Sequence, residues 1–504
     1  MAGRILGVSA LGLLAFAVIP AAAETPDREQ VLVAVEAQRD VTVKALQDWI
    51  ALPTIAAEKR NTPAGAEYMR QLALDAGFQQ AKMIPTDGVP AVFATLDAGA
   101  KTTVGIYFMY DVKQFEPSEW SSPPLEGRLV DRPGEGLVMI GRGAVNQKGP
   151  QMAFLAAIKA IQAIGRKLPV NLVLVAEGEE EVASTHFDQV VAVPEVRDAL
   201  AKSIGVFIPS AAQSKDGSAN ITLGAKGAVE FQLVVGGETS DKYPKTDIHS
   251  SNHARIENPA WRLVKALDTL VADDGHTPAI DGWFENVRPL TERQKQLIAE
   301  IAELNPEDQE KVLLGVGRWI DDEPYITSLE RFYSQPTVNI QGLIAGYTGP
   351  GGKTVLPGRA EAKLEFRLVP AMTGDEAVSK LKAHLAKRGF DDVQITVSGG
   401  YGPNETEEDS ILIEAQKKLF EQTGIAYSIR PRNAGSWPGV IFNGPPLNLP
   451  ASQFGLSRGG GAHAPNEWFL IKSSDPKVNG LDEATMAYVD YLYVIEQETA
   501  KGSD

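Results

Sequence analysis

Apolar residues recur along this chain with two alternating periods. Residues 31–49 and 149–164 carry them at helical spacing, whereas 103–109, 171–176 and 203–208 are short apolar runs bounded by polar turns, which predicts strands. That alternation, from about residue 26 to 210, predicts an α/β fold in which a doubly wound sheet carries helices on both faces. Ligands of such sheets bind beyond the carboxyl ends of the strands. Asp111, Glu180 and Glu181 each follow one of these strands, so carboxylates distant in sequence are expected to meet in one crevice.

Between about residues 219 and 400 the texture changes. Two β-rich pieces, 221–235 and 336–369, alternate with helices at 259–271 and 375–388 and a strand at 393–397. This predicts an α+β lobe inserted into the first. A helical stretch at 291–316 reads as an embellishment of the insert. The first lobe resumes with helices at 411–423 and 484–496, so the expected division is 24–218 with 401–504 for the α/β domain and 219–400 for the insert.

Composition narrows the setting. A chain of 504 residues is too long for one compact core, in keeping with two lobes. Its net charge of -17, with no basic cluster, argues against nucleic acid and anionic membrane as partners. Arg4, an apolar run beginning at Ile5 and Leu6, and Ala21-Ala22-Ala23 before Glu24 have the form of a cleaved secretory signal over residues 1–23. Export without a single cysteine points to a periplasm, since a domain of this size needs no disulfide staples.

The chemistry concentrates in a few short motifs. EGEEEVAS (177–184) puts consecutive carboxylates after a buried strand. Their mutual repulsion is normally offset by a cation or a shared proton, although taken alone the run reads more readily as a solvated acidic turn, and only its pairing with a second motif reverses that. GAHAPNEW (461–468) supplies His463 from a Gly-rich, irregular segment rather than an apolar face. With YFMYD (107–111), GRGAVNQKG (141–149), DIHSS (247–251) followed by NPA, GYTGPGGKTVLPG (346–358) and LEFRLVP (364–370), they form an ordered set over nearly the whole chain.

On these motifs the chain resembles the metallopeptidase family of carnosinase, aminoacylase, acetylornithine deacetylase and carboxypeptidase G, most of all its carnosinase-like branch. The resemblance implies a catalytic domain with an inserted, ferredoxin-like lid that also mediates homodimerisation. It implies hydrolysis of an amide bond in a small carboxylate-bearing substrate, a dipeptide or an N-acyl amino acid. It places Glu180 as general base and Asp111 as the aspartate orienting a metal-binding histidine. His249 would reach the partner subunit's site to steady the oxyanion, and Asn339, Arg367, Gly435 and Ser436 would grip the substrate's carboxylate. Asn146, Glu181 and His463 fall at the ligands of one metal ion.

Three positions depart from that family pattern. Met109 stands where a histidine ligand is expected, Asn146 where the aspartate bridging two metals is expected, and Pro209 or Ser210 where a further aspartate is expected. Thioether and proline are poor partners for zinc. The expected cofactor is therefore one weakly bound zinc ion at Asn146, Glu181 and His463, or none. Two functions stay open: a hydrolase with Glu180 as base, and a catalytically silent peptide-binding homologue.

Overall fold

A computed structural model describes residues 27–501. The expected signal at 1–23 lies outside the described residues. The first lobe is built on a mixed six-stranded sheet, in spatial order Gln80–Ile84, Ala91–Leu96, Asn171–Glu177, Thr103–Met109, Val206–Pro209 and Ala451–Phe454. The last four run parallel and the first two pairings are antiparallel. The inner strands are apolar almost throughout because both their faces are covered.

One face is covered by helices Arg28–Ala51, Gly149–Ala163, Ile411–Thr423 and Leu481–Lys501. Helix Gly149–Ala163 lies in the middle and buries Met152, Phe154, Leu155, Ile158 and Ile161, so it is apolar nearly all round. The opposite face is covered by the shorter helices Phe187–Ala192, Pro194–Leu200 and Val440–Asn443, which pack on Tyr107, Val173, Val175 and Ile208. The doubly wound arrangement expected from the periodicity is the one observed.

The inserted lobe is a four-stranded antiparallel sheet in the order Thr337–Ala345, Arg359–Leu368, Gly227–Gly236, Gln394–Tyr401. Helices Pro259–Asp268 and Gly374–Lys387 cover one face around Phe231, Phe366, Leu381 and Trp283. The βαββαβ order matches the ferredoxin-like pattern.

Two readings of the insert need correction. Residues 219–222 were expected inside it, but Ala219–Thr222 pairs in parallel with Tyr427–Arg430, and Ile221 is buried in the first lobe's core. The chain crosses between lobes at a two-strand hinge, Gly224–Ala225 against Asn404–Glu405. The stretch 291–316 is not one helix either. It divides into Glu292–Leu304 and Glu307–Leu314 because Pro306 lacks the N–H that a continuous helix requires. The first of these carries Leu297 into the first lobe's core and packs on strand Tyr427–Arg430, so it belongs against the first lobe rather than decorating the insert.

A second small sheet, which periodicity did not reveal, positions the motifs. Gly136–Ile140 pairs antiparallel with Trp468–Ser473, flanked by Arg128–Arg132 and Gly459–Gly460. Trp468 lies opposite Ile140, so the loops that leave these strands, 141–148 and 461–467, are held face to face. Among the described residues no helix is long and apolar enough to cross a membrane.

Candidate active site

Strands Thr103–Met109 and Asn171–Glu177 are parallel neighbours, with Met109 opposite Glu177. Their carboxyl ends therefore release YFMYD and EGEEEVAS side by side. Asp111, 1 % exposed, accepts the backbone N–H of Glu180 at 3.2 Å and of Glu181 at 3.0 Å. It clamps the turn that presents both glutamates. Glu177, also buried, accepts from Tyr107 at 2.7 Å and Ser184 at 2.8 Å.

Glu181 is the meeting point. Its Oε1 accepts from Asn146 Nδ2 at 2.7 Å, and its Oε2 lies 3.2 Å from His463 Nε2 and 3.5 Å from Lys113 Nζ. Asn146 Nδ2 is also 3.1 Å from His463 Nε2. Glu467 explains why these loops come together. It is 1 % exposed and accepts from Arg142 Nη1 at 2.8 Å and from the backbone N–H groups of Gly143, Val145 and Asn146 at 2.9, 3.0 and 2.9 Å.

Acidic groups are packed here at electrostatic cost. Burial, reinforced by the neighbouring Glu181 charge, pushes Asp111 up to about 8. Burial likewise pushes Glu177 up to about 8. Glu180 is raised well above the usual carboxylate range, first by burial and then by the charges of Glu181 and Asp111. Burial drives the amine of Lys148 down to about 7; its Nζ donates to the carbonyls of Trp49 at 2.8 Å and Leu52 at 3.2 Å.

A cleft of about 320 Å³ opens between the lobes above this cluster. Lys113, Asn146, Glu180, Glu181 and His463 line its floor from the first lobe, and Glu230, Glu365, Arg367 and Tyr401 line it from the insert's sheet. Gly435 and Ser436 close one side. Tyr401 Oη stands 3.4 Å from Glu180 Oε1.

The cleft thus gathers Glu180, Glu181, Asn146, His463, Arg367, Gly435 and Ser436, with Asp111 directly behind the glutamates. Arg367 donates Nη1 to Ser436 at 2.7 Å, but Nε and Nη2 are given to Glu365, the latter at 3.0 Å. Asn339 sits on the insert's edge strand, donating to Thr337 at 3.0 Å and Glu365 at 3.4 Å, and does not line the cleft. His249 is exposed and contacts its own turn through Ser251 at 2.8 Å. Sequence reasoning missed Lys113, Glu365, Tyr401 and Glu467. The signal for Lys113 lay two residues beyond Asp111, just past the run 107–111 already singled out.

Whether these residues suit a metal can be read from their chemistry. Met109 is buried at its strand end, and the Ser210 hydroxyl is buried without a partner, so neither position offers an anionic donor. The other position holds one carboxylate, one imidazole and an amide whose nitrogen faces both, with the Lys113 ammonium beside it. Among the described residues no three His, Asp or Glu side chains converge as a metal ion would need. The donor set does not fit a two-metal centre.

A two-lobed scaffold, a doubly wound α/β domain with an inserted α+β lobe and acidic groups at the junction, is the class that fold and cleft define. The family model for peptidase family M20/M25/M40 matches residues 109–487, and the chain belongs to that family. It is 28% identical over 377 residues to the Beta-Ala-His dipeptidase of Rattus norvegicus, covering 70% of this chain and 72% of that one. It is 28% identical over 459 residues to the Cys-Gly metallodipeptidase DUG1 of Candida albicans, covering 84% and 90%. Among solved structures, an M20 family metallo-carboxypeptidase from Sulfolobus solfataricus superposes with a TM-score of 0.79 at 30% identity, over 90% of this chain and 99% of that one. Human carnosine dipeptidase 1 superposes with a TM-score of 0.75 at 23% identity, over 93% and 100%, which speaks for the fold. The resemblance carried by the motifs is thus a family membership, and the chain is a peptidase by family.

Proposed function

We propose that this protein hydrolyses the amide bond of a small carboxylate-bearing substrate, a dipeptide or an N-acyl amino acid, with Glu180 as general base. The observation that carries the reading is Glu180 itself. It is half-buried on the floor of a dipeptide-sized cleft, on a turn clamped by Asp111. A carboxylate made more basic by burial and by the charges of Glu181 and Asp111 is suited to take a proton from water and return it to a leaving amine. The named activities of the rat and Candida relatives, both dipeptidases, point the same way.

One zinc ion at Asn146, Glu181 and His463 is the most that the donor set would carry, and the proton transfers above do not depend on it. Arg367, Gly435 and Ser436 would receive the substrate's carboxylate, in exchange for part of the contact between Arg367 and Glu365. A homodimer built through the insert would bring His249 of one subunit toward the other's cleft. The exposed edge strand Thr337–Ala345, with Ile340, Leu343 and Ile344 more than half exposed, suits such pairing. Periplasmic residence belongs to the same proposal and rests on residues 1–23. The silent peptide-binding alternative is disfavoured by the retention of Glu180 with its supporting Asp111.

The purified chain should hydrolyse members of a panel of dipeptides and N-acyl amino acids. Glu180→Gln should lower kcat by about 10²–10⁴, the usual worth of a general base. A wild-type protein that turns over no member of the panel would overturn the reading.

A further inference from the structure

The carboxylates at the lobe junction need a positive charge, and the residues that would recruit a divalent cation are depleted. Two positions lack an anionic donor, at Met109 and Pro209-Ser210, and a third has become the neutral Asn146. Yet Glu180 and Glu181 remain side by side on the floor of the cleft, with the buried Asp111 and Glu177 behind them. A cation of the chain has to offset the carboxylates of that floor.

Lys113 is placed to do so. It leaves the carboxyl end of strand Thr103–Met109 just after Asp111, and its Nζ donates to the backbone carbonyl of Glu181 and lies 3.5 Å from Glu181 Oε2. Its side chain is 29 % exposed, so the ammonium faces the cleft that Glu180 also lines. The other cation lining the cleft, Arg367, is held on the roof by Glu365 and Ser436.

We propose that Lys113 takes over the electrostatic role of the missing metal, polarising the scissile carbonyl and stabilising its oxyanion, so that the site works without a metal ion. The proposal rests on the hydrolytic reading above. In the step it describes, Glu180 takes a proton from water while the water oxygen bonds to the carbonyl carbon. The carbonyl π electrons move to oxygen, where the Lys113 ammonium lies close and transfers no proton. The C–N bond then breaks as the proton on Glu180 passes to the departing nitrogen, leaving a carboxylic acid and an amine. An ammonium stabilises charge that develops in the transition state more than it stabilises the neutral amide, so its effect falls on kcat.

The test uses the full chain in chelator and two pseudo-dipeptides, one with an anionic phosphinate and one with an uncharged ketomethylene at the scissile position. Titration calorimetry should show the phosphinate binding to wild type without added zinc. Lys113→Gln should weaken phosphinate binding by about 10²–10³, the worth of one oxyanion donor. Its affinity for the ketomethylene compound should change less than about threefold. Lys113→Arg should recover part of the loss, and circular dichroism should be unchanged in both variants. Phosphinate binding that requires zinc, or that survives Lys113→Gln, would sink the proposal. If the binding pattern holds but no dipeptide is cleaved, the assignment of Lys113 stands and the hydrolytic reading falls.

Discussion

Replacing Glu467 by Gln should damage the protein more than any exposed substitution, because this carboxylate is the anchor of the 141–148 loop. It is 1 % exposed and accepts from the buried Arg142 and from three backbone N–H groups. Gln keeps one acceptor oxygen but turns an NH2 group toward donors and removes the charge opposite Arg142, whose side chain is 3 % exposed. Breaking one half of a buried ion pair costs about 3–5 kcal/mol, since the surviving charge stays buried and unpaired. The retained oxygen puts the expected loss near the lower end of that range. Urea unfolding followed by the fluorescence of Trp120 and Trp468, which pack in the small sheet beside this loop, should show the midpoint falling. Arg142 Nη2 also donates to the His463 carbonyl at 3.2 Å, so hydrolysis should fall together with stability. The double variant Arg142→Met with Glu467→Gln should recover part of the loss, because the buried charge left without a partner is then removed while one acceptor oxygen is kept. A Glu467→Gln protein within about 0.5 kcal/mol of wild type would refute the anchoring argument.

Stability should fall as pH rises between about 5 and 7, because burial holds Asp111 and Glu177 near 8, far above an unfolded carboxylate. The native state binds protons there that the unfolded chain has released; this stabilisation is complete below about pH 4 and is lost as pH climbs through 8. Thermal melts across that range would read it, Glu177→Gln should flatten the slope, and a melting point that rises with pH would contradict it. Gly224→Ala should loosen the hinge, since a Cβ there would stand 2.1 Å from the Asn404 carbonyl oxygen, a backbone atom that cannot move aside. A loss of about 1–3 kcal/mol is expected from urea midpoints, and an unchanged midpoint would show that the hinge relaxes. Restoring Met109→His, Asn146→Asp and Ser210→Asp together should create zinc affinity measurable by calorimetry. If zinc binding does not rise, the ligand positions have been misplaced.

Much of this molecule could be read in its sequence, for a definite reason. Strand Thr103–Met109 and helices Gly149–Ala163 and Ile411–Thr423 carry their burial pattern in consecutive residues, so periodicity located them to within about a residue. The charged motifs were legible for the same reason: Glu180 and Glu181 follow a strand, and a strand's end is a local property. The limits of the insert and the course of 291–316 were not. Ala219–Thr222 and helix Glu292–Leu304 take their places from Tyr427–Arg430, more than a hundred residues away, and no local pattern encodes that pairing.

The sequence by itself therefore determined the doubly wound scaffold, the family, and the loss of ligand chemistry at Met109, Asn146 and Pro209-Ser210, all of which depend on residue identity and local order. Only the tertiary structure decided what faces Glu181. The pairing of Trp468 with Ile140 brings Glu467 onto the loop that carries Asn146, the parallel strands bring Lys113 against Glu181, and the junction of the lobes brings Ser436 against Arg367. These are contacts between groups that lie tens to hundreds of residues apart in the chain. Such interactions depend on distance and burial in space, and those quantities exist only once the chain has folded.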